Sequence, residues 1–267
     1  MTTKPPFPWN GAKTRMLEDL TPFIQQWNGQ GKWIEPFLGS GIVSRHVAGM
    51  YPGVRQIVGD LNQWLIAAHQ YWLGGTVERP TLADVTPERV EYYRNLKDSE
   101  FHSISAREQA LRFMICLYSA WGNRWQTAEN GTFATPINTA RNGGDPAFLL
   151  RRLEESYGSG WGDHIFQHGN WLLTAQQARK GDLVYLDSPY PETAGYGTTK
   201  WDLEDWSLMY HWVKTVAIPN EIFVLVSNPG TMHLLWDYIM KQSTKVDMPS
   251  QGRSTKPRVE YVGFWKP

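Results

Sequence analysis

Trp33-Ile34-Glu35-Pro36-Phe37-Leu38-Gly39-Ser40-Gly41 is a short β-like run that ends in an acid and breaks into a glycine turn. A strand that stops in this way before an amphipathic stretch opens a βα unit. Three further runs repeat the pattern: Ile57-Val58-Gly59-Asp60, Leu183-Val184-Tyr185-Leu186-Asp187 and Ile222-Phe223-Val224-Leu225-Val226-Ser227-Asn228. Three of the four end in an acid and the fourth in Ser-Asn, so polar groups collect at the carboxyl ends of strands, where open α/β sheets bind their ligands. The expectation is an α/β domain with a mainly parallel sheet and a crevice at those ends.

Between residues 66 and 160 the β-like runs give way to helix signals. This predicts an inserted, mainly helical subdomain at 66–160 within a domain built from residues 1–65 and 161–267. Thr86-Pro87-Glu88 reads as a cap followed by proline at the first helical position, and Ser105-x-x-Glu108 as a capping box. Behind that box Leu111, Met114, Ile115 and Tyr118 recur at helical spacing and predict one apolar face. Residues 122–144, rich in Asn, Thr and Gly, read as an exposed loop region. A chain of 267 residues is long enough for a core with such an insertion.

Lys plus Arg number 26 and Asp plus Glu 26, so no net field steers the molecule onto a polyanion, and any nucleic-acid contact must come from local patches. The 14 Trp, 12 Tyr and 10 Phe exceed what a core of this size needs and suit stacking on planar ligands. The single cysteine, Cys116, excludes an internal disulfide framework. Its apolar run Phe113-Met114-Ile115-Cys116-Leu117 marks a buried small side chain and fits a reducing, cytoplasmic setting. The opening Met1-Thr2-Thr3-Lys4-Pro5-Pro6 has no apolar segment of a signal peptide, and the longest apolar stretches fall short of the ~20 residues a spanning helix requires. A protein with no membrane association is expected.

The glycine turn lets backbone pass close to a ligand, although the third glycine of G-x-G-x-x-G would fall at Ser44 and is absent. Asp60 ends the next run 19 residues after Gly41, the distance at which a second strand's acid hydrogen-bonds a ribose diol. The plainer reading of a strand-end Asp is a helix cap. Asp187-Ser188-Pro189-Tyr190 sets a carboxylate, a stiffened backbone and an aromatic ring in four residues at the mouth of the crevice. There the carboxylate and a backbone carbonyl can each accept one N–H of a planar amine while Tyr190 stacks on its heterocycle. As ordinary turn formers, the same residues also fit a plain loop.

With these motifs the sequence resembles the Dam-like (D12 class) site-specific DNA adenine-N6 methyltransferases, over nearly the whole chain. Pro8-Trp9-Asn10-Gly11-Ala12-Lys13 is similar to the family's W-x-G-G-K, the stretch from Glu35 to Gly41 to its D/E-P-F-x-G-x-G, Gly59-Asp60-Leu61-Asn62 to its D-x-N, and Asp187-Ser188-Pro189-Tyr190 to its D-P-P-Y. Their order along the chain is the family's own. The resemblance implies a Rossmann-like, S-adenosylmethionine-dependent methyltransferase sheet with an inserted target-recognition element, acting on double-stranded DNA with no obligatory protein partner. It implies that Trp9, Lys13, Glu35, Phe37, Gly39, Ser40, Gly41, Asp60 and Asp187 hold the cofactor and that Asp187, Ser188, Pro189 and Tyr190 form the catalytic tetrad. The target base would be flipped out and stacked on Tyr190. Cytosine N4 or an RNA amine presents similar chemistry, and a catalytically impaired DNA-binding relative is the third reading.

The departures from the family pattern carry information. Ser188 replaces the first proline of the tetrad, a position expected to act through its backbone carbonyl, and Ala12 replaces a glycine. Gly122-Asn123-Arg124-Trp125-Gln126 before Gly131-x-Phe133-x-x-Pro136 resembles N-G-x-x-R before G-x-F-x-x-P, with Asn and Gly exchanged and Gln126 where arginine is expected, so GATC is not carried over as the target. Arg124 and Gln126 are therefore candidate base or backbone readers. Residues 245–258 carry four basic residues against one acid and read either as a solvated loop or as a DNA-phosphate contact through Lys256 and Arg258. His164 and His168 have the i, i+4 spacing of metal ligands without a third ligand, so no metal is expected. Trp201, Trp206 and Trp212 follow the tetrad in a helix capped by Asp202, mostly as core, with Trp201 able to close over the site.

Overall fold

Alternate residues of the central strands enter different cores. Trp33 of β1 (Trp33–Glu35), Leu183 and Tyr185 of β4 (Leu183–Leu186) and Leu225 of β5 (Phe223–Pro229) join one cluster, whereas Ile34, Val184, Leu186, Val224 and Val226 join another. Strands covered on both faces read as unbroken apolar runs, which is why these were visible in the sequence. The first cluster is closed by α1 (Leu17–Trp27) and α2 (Ile42–Met50), the second by α7 (Trp171–Ala175) and α8 (Leu203–Trp212). The computed structural model describes residues 4–189, 201–229, 233–248 and 258–267, with backbone alone at 233, 234, 248 and 258.

Among the described residues the sheet has seven strands in the order β3-β2-β1-β4-β5-β7-β6. β1 lies between β2 (Gln56–Asp60) and β4, parallel to both, so the carboxyl ends of these three strands sit side by side. β3 (His164–His168) and β5 extend the parallel set, and β7 (Arg258–Trp265) and β6 (Gln242–Met248) complete the sheet antiparallel. This is the expected α/β, Rossmann-like architecture. Among the described residues no helix is long and apolar enough to cross a membrane.

Three strands were not anticipated. His164 and His168 stand on edge strand β3, not on a helix, so their side chains are about 13 Å apart at four strand residues' rise and do not share an ion. Residues 245–248, read as loop, belong to β6, whose partner β7 places Val262 and Phe264 in the core; 249–257 lie outside the described residues. Basic and polar residues on a half-exposed edge strand hide the period-two signal.

Between β2 and β3 lie α3 (Gln63–Ala67), its π-helical extension Ala68–Leu73, α4 (Pro87–Asn95), α5 (Ala106–Ser119) and α6 (Pro146–Ser156). Both capping signals form: Thr86 Oγ1 accepts from Arg89 N at 3.3 Å with Pro87 at the first turn, and Ser105 Oγ accepts from Glu108 N at 3.2 Å while the Glu108 carboxylate accepts from Ser105 N. The single apolar face expected of α5 is an underestimate, because every residue from Ala110 to Ser119 is buried. α5 is the central helix of its layer, packed by α3, α4 and α6, and Phe113 meets Phe7 at 5.3 Å.

Candidate active site

Polar groups converge where β1, β2, β4 and β5 end. Glu35 closes β1, and the chain then turns through Gly39 and Gly41, both left-handed (φ 47° and 67°). A Cβ on Gly39 would lie 2.8 Å from Trp9 Nε1 and one on Gly41 2.4 Å from the Trp161 ring, so conformation and space both require glycine. The turn is braced from β2: Leu38 N donates to Gly59 O (2.8 Å) and Gly39 N to Asp60 Oδ2 (3.0 Å). Asp60 Oδ1 accepts from Asn62 N at 2.9 Å. The helix cap is Asn62, whose side chain accepts from Trp64 N and Leu65 N, which corrects the plain reading of Asp60 as a cap. Burial raises the Asp60 carboxyl above its ordinary value against these N–H groups and that of Leu61, and a carboxylate with about four lone-pair sites still keeps acceptor capacity.

Lys13, buried on the 3₁₀ turn Lys13–Met16, places Nζ 2.7 Å from Asp187 Oδ1 at the end of β4. Ser227 Oγ of β5 donates to the same oxygen at 3.0 Å. Burial raises the Asp187 carboxyl, and the Lys13 charge and the Ser227 hydrogen bond pull it back down. Glu35 is buried too and accepts from Ser44 Oγ (2.5 Å) and Trp33 Nε1 (3.1 Å). Burial, with the nearby negative Asp187, pushes it up to about 8. Burial thus leaves both carboxyls above their ordinary values: Glu35, at about 8, keeps its proton at neutral pH, while at Asp187 the Lys13 charge and the Ser227 hydrogen bond favour the ionised form and offset part of the rise.

Around these groups, Phe37 stacks on Trp171 (6.3 Å) and meets the edge of Trp201 (5.3 Å), which brings Trp201 to the glycine turn. Trp206 and Trp212 are core, and Asp202 caps α8 as expected. Ser40 and Ser188 are buried; Pro189 is half-buried. Among the described residues the Ser188 hydroxyl has no hydrogen-bond partner, in keeping with a position acting through its backbone. Tyr190 lies outside the described residues, as does Lys256, and only the backbone of Arg258 is described.

The sequence reading missed Ser44 and Ser227, and also His69, whose Nε2 bonds Gly39 O at 2.8 Å and whose burial lowers it to about 4. Ser227 was visible only as a polar strand end and Ser44 only as the position of an absent glycine; their hydrogen bonds to Asp187 and Glu35 appear only in the fold. Behind the turn, His69, Trp161, His164 and Phe166 line a cavity of about 400 Å³. It extends toward the amino end of β3, where His164 pairs with Gln56.

Residues 122–144 are irregular but not simply exposed: Trp125, Phe133, Thr135 and Asn138 are buried. Thr127 bridges Phe133 and Ala134 N donates to Gln126 O at 2.9 Å, forming a small hairpin. Trp125 packs inward on Phe113 (4.9 Å) and Phe133 (5.0 Å), so its neighbours Arg124 and Gln126 are turned to solvent. At the base of this hairpin Trp121 is 58% exposed, an aromatic surface the sequence reading did not single out.

Residues 9–246 match the family model of the D12 class N6 adenine-specific DNA methyltransferases, and the chain belongs to that family. It is also similar to the type II methyltransferase M.MjaIII of Methanocaldococcus jannaschii, with 21% identity over 225 residues, 77% of this chain and 76% of that protein. The protein is therefore a DNA methyltransferase acting on adenine.

Proposed function

We propose that this enzyme transfers a methyl group from S-adenosylmethionine to N6 of an adenine flipped out of double-stranded DNA, with residues 66–160 as the recognition subdomain. The observation that carries the reading is the pairing of Lys13 with Asp187 beside the glycine turn, at the ends of adjacent parallel strands. The donor set fits the cofactor. Asp60 retains acceptor capacity for a ribose diol, Lys13 offers a cation for a carboxylate, and Asp187 an acceptor for an ammonium group, while Trp9 packs over the glycine turn that Glu35, Phe37, Ser40 and Gly41 also build. The cofactor's sulfonium supplies an activated methyl group.

The chain must make a poor nucleophile competent, because the adenine amine's lone pair is delocalised into the ring. Asp187 and the Ser188 carbonyl each accept one N–H, which favours a tetrahedral nitrogen with its lone pair free. The Asp187 carboxylate then meets the positive charge that develops on N6. Pro189 stiffens the turn, and Tyr190 stacks on the flipped base. Closure of Trp201 over Phe37 excludes water. The enzyme works on cytoplasmic DNA. Treating unmodified DNA with the enzyme and labelled cofactor, then separating nucleosides by mass spectrometry, is expected to yield N6-methyladenine. N4-methylcytosine, or label in RNA alone, would overturn the assignment.

Arg124 and Gln126 face outward on a hairpin nailed down by Trp125 and Phe133, the rigid mounting that base reading requires. Glutamine pairs bidentately with adenine N6 and N7, where arginine would select guanine. Gln126→Ala is expected to relax discrimination at one position of the site by ~1–3 kcal/mol and to leave the salt dependence of binding unchanged. Lys256→Ala or Arg258→Ala should instead weaken binding to all sequences and flatten the salt slope. Sequencing the sites methylated by each variant tests this, and an unaltered profile for Gln126→Ala removes its reading role.

A further inference from the structure

Ser227 sits fully buried on β5, one strand away from the carboxylate it touches. Its hydroxyl has one hydrogen and lies 3.0 Å from Asp187 Oδ1 and 2.7 Å from the Tyr185 hydroxyl. A carboxylate only accepts, so the serine hydrogen goes to Asp187 and the Tyr185 O–H donates to Ser227. The result is a directional chain, Tyr185 to Ser227 to Asp187, that ends on the negative charge. Tyr185 is itself held: its ring stacks on Trp33 at 5.7 Å and 27°, and Trp33 Nε1 donates to Glu35 and Ser44.

Lys13 Nζ also makes its 2.7 Å contact with Oδ1. An ammonium on a flexible stem attracts a carboxylate without fixing its rotation. A second donor on the same oxygen, from a neighbouring strand, does fix it. We propose that Ser227 is a positioning residue for methyl transfer: with Lys13 it grips Oδ1 of Asp187 and so presents Oδ2 as the acceptor for the adenine amine. This rests on the reading of Asp187 as the amine-binding carboxylate.

Ser227→Ala removes only a hydroxyl and is expected to lower kcat about tenfold to a hundredfold, the effect of losing a hydrogen bond to a charged group. KM for cofactor and for DNA should stay unchanged. The groups facing Asp187 are Lys13 from the N-terminal turn, Glu35 from β1 and Tyr185, through Ser227, on β4. With all three retained, loss of the serine donor leaves the ionised carboxylate less stabilised, so the acid limb of the kcat–pH profile moves to higher pH. A merely structural role would not move that limb. Ser227→Thr, which keeps the hydroxyl, should restore it.

A folded Ser227→Ala enzyme with unchanged kcat and acid limb overturns the proposal, as does a rise in KM alone. If that variant does not fold, Tyr185→Phe tests the same chain from behind, and an unaltered kcat and limb there overturns it. Asp187→Asn, assayed in parallel, separates the two claims. An active Asp187→Asn enzyme defeats the reading of Asp187, whereas an inactive one beside a wild-type-like Ser227→Ala defeats only the inference about Ser227.

Discussion

If Asp187 is the amine acceptor proposed above, Asp187→Ala is expected to abolish methyl transfer, by about a thousandfold or more, while the folded protein still binds DNA. Loss of one preorganised group facing a developing charge typically costs ~10²–10³ in rate, and here the same change also removes an acceptor that unmasks the amine lone pair. Lys13, buried and 2.7 Å away, would lose its nearest carboxylate, so Asp187→Asn is the gentler companion that retains shape and removes charge. Ser188→Pro, by contrast, should retain activity. Among the described residues the buried serine hydroxyl has no partner, and the backbone carbonyl survives the change. Single-turnover transfer of labelled methyl groups, with DNA binding measured separately, decides the matter. Transfer by Asp187→Ala within tenfold of wild type would remove this carboxylate from the chemistry, and an inactive Ser188→Pro would give the hydroxyl a role not assigned to it here.

The difference between these neighbours shows what the sequence could convey. A carboxylate at the end of an apolar run is legible because strand, turn and chemistry share one short window, and the same holds for Glu35, the glycine turn and Asp60. The four central strands were legible because burial on both faces makes them continuous in hydrophobicity. β3 and β6 were not, since on these outer strands His164, Gln167 and Lys245 interrupt the apolar run, whereas β7 is buried from residue 260 to 264 and its run Tyr261-Val262-Gly263-Phe264-Trp265 was simply overlooked. Asp60 shows a subtler limit. Its distance from Gly41 gave its place, but only the fold reveals that its carboxylate first holds Gly39 N and Asn62 N, so the acid that would meet the ribose also sets the shape of the glycine turn. Ser227 was legible as the polar end of an apolar run, but not its role, because its partners lie 40 and 42 residues away in the chain.

Arg112, which the sequence reading did not single out, carries a large expected stability effect in the helical layer. An arginine in the middle of α5 reads as solvent-facing, yet it is fully buried. Its guanidinium lies 3.8 Å from the Trp64 ring centre. Nε donates to Tyr93 O (3.2 Å), Nη2 to Leu96 O (2.6 Å) and Gly131 O (2.9 Å), and Nη1 reaches Asp98 Oδ1 at 3.4 Å. Those carbonyls end α4 and form the tip of the outward-facing hairpin, and Gly131 is left-handed (φ 83°), where a Cβ would lie 2.7 Å from Asp98 N. Arg112→Met keeps much of the apolar stem but leaves three inward carbonyls without their donor, so a loss of about 3–5 kcal/mol in urea unfolding is expected. Arg112→Lys should recover part of it, because one ammonium cannot reach all of these acceptors in a planar fork. If the hairpin reads DNA, loosening its tip should also blur the methylated-site profile of the lysine variant before activity on the best site is lost. A loss below about 1 kcal/mol for Arg112→Met, the range of ordinary surface substitutions and of weak ion pairs, would mean that the carbonyls find water once the arginine is gone and that the hairpin is held by Trp125 and Phe133 alone.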